Sequence, residues 1–142
     1  MRIVTPIAFF TVLACASCSC PGPEGAGADS GTAVMPVNGC TAMDFAANDR
    51  RADAASRVIA FPSGAAPGPY TPRCITISAG QSVTWNGDFA SHPLEQFGGN
   101  ESAWIAPTNR GSTATFTFPV AGVYGFRCTA HPTTMQGAIL VR

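Results

Sequence analysis

The part of this chain that most limits its fold is the C-terminal stretch 122–142. Two runs of strand-forming residues, 123–128 and 137–141, are joined there by a loop short enough to demand a tight connection. In the first run the alternation places Tyr124, Phe126 and Cys128 on one face and Val123 and Gly125 on the other. Cys128 ends that run, and Met135 shortly precedes the next. With His131 between them the loop reads C-x2-H-x3-M, so a thiol, an imidazole and a thioether share one connection whose ends a sheet holds.

The rest of the chain repeats the same grammar of short strands and turns. Residues 57–61 are apolar and stop at Pro62; residues 74–77 alternate and close at Ala79-Gly80. Residues 82–85 alternate and stop at Asn86-Gly87, and 113–118 run cleanly into Pro119. Residues 103–105 read as a further strand ahead of Pro107, and the segment around His92 reads as loop. Thr41 and Asp44 have capping-box spacing, which predicts a helical turn over 41–49. Only 11% of the residues are charged, 46% are hydrophobic, and there are 15 Gly and 12 Pro. This composition suits an all-β protein of seven to eight strands, a sandwich or small barrel, and not a helical bundle. Net charge is zero, every basic residue is arginine, and no basic run exists. Nucleic acid is therefore not an expected partner.

The N-terminus reads as an export signal over 1–20: Arg2 is followed by an apolar region too short to span a bilayer. Val12-Leu13-Ala14-Cys15 resembles a bacterial lipobox, which would make Cys15 a lipid anchor and give a membrane tether. A cut after Ala16 would release a soluble protein instead. Both place the chain outside the cytoplasm, periplasmic, membrane-anchored or secreted. Residues 21–39, rich in Pro, Gly, Ala and Ser, read as a flexible linker, with the folded domain over 40–142. Of the six cysteines, Cys18 and Cys20 fall in the tether without an assigned role. In an oxidising compartment the simplest pairing is a Cys40–Cys74 disulfide, leaving Cys128 free. Two alternatives stay open: Cys128 as an inert buried thiol, or paired with Cys74.

A thiolate, an imidazole and a thioether are three of the four donors of a blue-copper site, where a weak axial Met completes a trigonal His2Cys core. The missing donor is an imidazole, and the only other histidine is His92. A copper ligand set is thereby fully named: His92, Cys128, His131 and Met135. Taken singly, a loop His is ordinarily solvated and a Met ordinarily core; the combination points to metal. Residues 80–85, His92 beyond them, and 122–135 together resemble the cupredoxins, the blue copper proteins of the plastocyanin and amicyanin type. The resemblance runs from about residue 57 to the C-terminus.

The resemblance implies a Greek-key β-sandwich holding one type 1 copper ion near one end. It implies a monomeric electron carrier and not an enzyme, with redox protein partners docking near His131. An apolar apron around His131 is expected from Leu94, Phe97 and Pro132. Cupredoxins often follow the first His ligand with an Asn that braces the two ligand loops. Here Pro93 stands in that place, so Ser91 or Asn86 is expected to serve. Two other readings use the same residues: a copper-trafficking or sequestering protein, and a structural or recognition module indifferent to copper.

Overall fold

Two sheets pack face to face around aromatic residues, and the way each is covered explains its sequence. The computed structural model describes residues 34–100 and 102–142. The export signal with Cys15, Cys18 and Cys20, and the linker up to residue 33, lie outside the described residues. In chain order the elements are α1 (Ala42–Ala47), β1 (Val58–Ala60), β2 (Cys74–Ile77), β3 (Gln81–Asn86), β4 (Leu94–Gly99), β5 (Thr113–Phe118), β6 (Gly122–Cys128) and β7 (Gln136–Val141). The first sheet has the order β1-β3-β5 and the second β2-β7-β6-β4, with β1–β3 and β2–β7 parallel and the remaining pairs antiparallel. The expected all-β sandwich is thus observed, with seven strands among the described residues.

The first sheet keeps one face in water. Along β5 the threonines point outward, while Ala114, Phe116 and Phe118 turn toward the core. On that outer face Ser82 pairs with Thr117 at 2.7 Å and Thr84 with Thr115 at 2.8 Å, so cross-strand hydroxyls satisfy one another. The second sheet is covered on both faces, which is why β2 and β7 are almost continuously apolar and buried. Between the sheets lie Trp85, Phe126, Phe118 and Tyr124, with Trp85 and Phe126 edge to face at 5.2 Å. On the outside of the second sheet, Phe45 of α1, Leu140, Ala138 and the Cys40–Cys74 disulfide form a second cluster.

The helix is short because its start is strongly marked and its length is limited by what it covers. Thr41 accepts the Asp44 N–H, while the Asp44 carboxylate accepts the Thr41 N–H at 2.8 Å, completing the expected capping box. Hydrogen bonds from the Thr41 hydroxyl, first, and its main chain hold the Asp44 carboxyl below the ordinary range. The segment before the helix belongs to the domain, so the linker expected over 21–39 does not extend through its last residues. Val34 and Val37 pack on the second cluster, and Val37 and Cys40 exchange main-chain hydrogen bonds.

One strand was exchanged for another relative to the sequence pattern. Residues 94–99, read as loop, form β4, whereas 103–105, read as a strand, are irregular. The Trp104 and Ile105 N–H groups donate to the Gln96 side-chain oxygen at 3.0 and 3.2 Å, so a β4 side chain replaces a ladder. Ile105 is buried all the same.

Candidate metal centre

Local hydrogen bonding delivers His92 to the interior. The Asp88 carboxylate accepts the Ala90 N–H at 3.0 Å and the Ser91 hydroxyl at 2.6 Å, and the Asp88 carbonyl accepts the His92 N–H at 3.0 Å. This Asx-type turn rolls the chain over after β3. The Ser91 hydroxyl, then the Ala90 N–H, hold the Asp88 carboxyl below its ordinary range. Sheet register then sets what His92 faces, since Leu94 at the start of β4 lies opposite Cys128 at the end of β6.

The loops are tied by main-chain bonds. The Thr129 N–H donates to the Pro93 carbonyl at 2.9 Å, which joins the His92 and Cys128 segments directly. This is the brace that Ser91 or Asn86 was expected to supply. Ser91 is instead spent on Asp88, and Asn86 contributes its carbonyl to the Phe61 N–H. The Cys128 N–H donates to the Met135 carbonyl at 2.8 Å and the Met135 N–H to the His131 carbonyl at 2.9 Å, closing the loop on itself.

Three donor atoms converge. His92 Nδ1 and His131 Nδ1 are 3.2 Å apart, and the Cys128 Sγ is 3.9 Å from the first and 3.6 Å from the second. The circle through these atoms has a radius of about 2.1 Å, the length of an imidazole or thiolate bond to a first-row metal. His92 Nε2 lies 2.6 Å from the Gly64 carbonyl, which can only accept. The proton therefore sits on Nε2, and the Nδ1 lone pair faces the other two donors. Residues fit metal here on chemistry as well as spacing: an imidazole of fixed tautomer, a thiol and a second imidazole aim at one point.

His92, Cys128 and Met135 are fully buried, and His131 is half-buried. Phe61 covers the His92 ring edge-on at 6.0 Å and also meets Tyr70 and Phe89. Burial, and then the charge on Cys128, push the Tyr70 phenol well above its ordinary value, so it stays neutral. Cys128 is the one free cysteine among the described residues. Since Cys74 is bonded to Cys40, a Cys74–Cys128 pair is ruled out.

The expected apolar apron does not form as read. Leu94 is buried in the core, and the Arg127 guanidinium lies 3.7 Å above the Phe97 ring while pairing with Glu95 at 2.6 Å. Of the three, only Pro132 is an exposed neighbour of His131 in the chain. Sequence reading missed Gly64, Asp88 and Phe61. For Asp88 a signal was present, because Asp followed by a turn ahead of a buried residue marks an Asx turn; for Gly64 none was.

No family model matches the chain, and no curated protein matches it. Among solved structures it is similar to a reduced amicyanin variant, at 27% identity over 60% of this chain and 80% of that one, TM-score 0.46. It is similar to a purple cupredoxin from Nitrosopumilus maritimus at 27% identity over 60% of this chain and 98% of that one, TM-score 0.46. A Cu(I) form of another amicyanin variant shares 25% identity over the same 60% of this chain and 80% of its own, TM-score 0.48. The chain is thus similar to cupredoxins, and its own geometry is a β-sandwich with a buried imidazole–thiol–imidazole cluster at one end.

Proposed function

We propose that this protein is a mononuclear type 1 copper protein that carries single electrons between redox partners outside the cytoplasm. The observation that carries this reading is the convergence of His92 Nδ1, Cys128 Sγ and His131 Nδ1 on one point. Copper bound there would supply a one-electron Cu(I)/Cu(II) couple. Met135, buried in the same cluster as Cys128 and hydrogen-bonded to it through the main chain, is the proposed fourth residue that would hold the ion. Four protein donors leave no position for a substrate, which favours electron carriage over catalysis.

The chain's own residues supply the rest. His92 is held by Gly64 and shielded by Phe61, so this fully buried donor has one orientation. The Thr129–Pro93 and Cys128–Met135 bonds hold the donors at set distances, which limits rearrangement as charge changes. His131, half-buried beside exposed Pro132, is the side chain through which the site would meet a docked partner. Burial of His92, Cys128 and Met135 disfavours copper trafficking, which needs ready release. Export, with Cys15 as a lipid tether and a monomeric domain, belongs to the same proposal, and the Cys40–Cys74 disulfide suits that compartment.

The test is to add Cu(II) to the purified protein and record its visible spectrum. An intense thiolate-to-copper charge-transfer band is expected, and it should vanish in Cys128→Ser and in His92→Ala. A wild-type protein without that band would sink the reading.

A further inference from the structure

The side chain of Asn38 lies across β6 and joins the strands on either side of it. Its Nδ2 donates to the Phe97 carbonyl of β4 at 2.8 Å and to the Gly137 carbonyl of β7 at 2.9 Å, and lies 3.3 Å from the Phe126 carbonyl of β6. All three partners only accept, so the amide nitrogen must face them. The amide is presented by a fixed turn: Asn38 has φ +50°, a left-handed conformation that Asn tolerates, and Gly39 follows at +73°. The Val37–Cys40 main-chain pair closes that turn, and Cys40 is anchored to Cys74.

The strands are shaped to receive it. A Cβ on Gly125 would come within 2.7 Å of Asn38 Nδ2 and would collide with the Phe97 carbonyl. The register of β4 against β6 shifts between Gln96 and Gly99, and Phe97 falls inside that shift without a partner in β6. β4 is the last strand of its sheet, paired along its length to β6, with Leu94 alone also bridged to Thr108 on the other side. Asn38 therefore ties an irregular edge strand to a strand two places inward.

Each acceptor lies in a strand that adjoins a proposed metal donor: Phe126 is two residues before Cys128, Gly137 two after Met135, and Phe97 five after His92, in the strand that begins at Leu94. We infer that Asn38 is a positioning residue for the metal centre, a brace that keeps at one spacing the strand that ends in Cys128 and the strands that follow His92 and Met135. This rests on the copper reading above.

Asn38→Gly and Asn38→Asp test it, because both tolerate the left-handed turn while the first deletes the amide and the second replaces its donor with acceptors. Amide hydrogen exchange on the metal-free protein reads the brace itself, and the copper-loaded spectrum and the rate of copper loss to a chelator read its effect. Both variants should fold, with exchange at the Thr129 N–H roughly 5- to 30-fold faster. Copper should be lost about tenfold faster, from a site with a shifted charge-transfer band. Unchanged exchange at Thr129 together with an unchanged spectrum and loss rate would overturn the inference, even if thermal stability fell. Loss of the folded state in both variants would also overturn it, since Asn38 would then determine the fold and not the site. If wild type shows no copper band, the copper reading fails, and the positioning role fails with it; a faster exchange would then report a structural brace alone.

Discussion

Gly125 and Tyr70 illustrate how single residues in this core are chosen for opposite reasons. At Gly125 the absence of a side chain lets the Asn38 amide and the Phe97 carbonyl approach β6. Gly125→Ala should therefore cost about 3 kcal/mol, the upper range for overpacking, because main-chain atoms have nowhere to move. Chemical denaturation of parent and variant would show it, and equal midpoints would contradict the packing argument. Tyr70, wedged between Phe61 and Phe126, buries a hydroxyl that has no hydrogen-bond partner among the described residues. Its ring contributes to the core, but its oxygen was taken from water without compensation. Tyr70→Phe keeps the ring and should raise stability by about 1 kcal/mol, read as a later denaturation midpoint. A lower midpoint would mean that the hydroxyl has a favourable interaction in the folded protein.

At the scale of elements, the covered face of the second sheet depends on a short helix and one covalent tie. Six residues make a helix too short to persist unaided, so its stability comes from the Thr41–Asp44 box and from Phe45. Thr41→Ala should cost about 1 kcal/mol, measured by thermal unfolding, while Asp44→Asn should cost less because an amide can still accept. The Cys40–Cys74 bond joins the helix start to β2. Replacing both cysteines by Ala should lower stability by about 3 kcal/mol through the freer unfolded chain. The charge-transfer band of a copper-loaded double variant should survive at low temperature, because neither residue touches the donors. The Gln96 side chain explains why 103–105 need no partner strand, and a polar residue at that position gives no hint of it in one dimension.

Across the whole molecule, three carboxylates contribute to the dependence of stability on pH. Asp44, Asp49 and Asp88 are all held below 3.8, chiefly by hydrogen bonds from Thr41, Arg51 and Ser91 respectively. Because the folded protein releases these protons more readily than the unfolded chain, the stability they contribute is present above pH 3.8. It is lost as pH falls through their lower folded values. Thermal midpoints measured from pH 5 down to about 2 should fall mainly below 4, and Asp88→Asn should flatten part of that fall.

Strand runs with period two, turn residues at their ends, the capping box and the C-x2-H-x3-M loop are all local patterns, and residues near in sequence enforce them. They determined an all-β class, a sandwich or small barrel, six of the seven strands among the described residues, the helix and the candidate donors Cys128, His131 and Met135, while His92 followed as the only other histidine. Tertiary structure alone decided the rest, because those features join residues far apart in the chain. β4 carries two glycines and a weak strand pattern, and exists because β6 pairs with it and Asn38 fills its register shift. The orientation of His92 is set by the carbonyl of Gly64, the loop brace by Thr129 and Pro93, and the partner of the exposed Phe97 ring by Arg127. A carbonyl has no side-chain identity, so no sequence pattern could have announced which ones would hold the centre together.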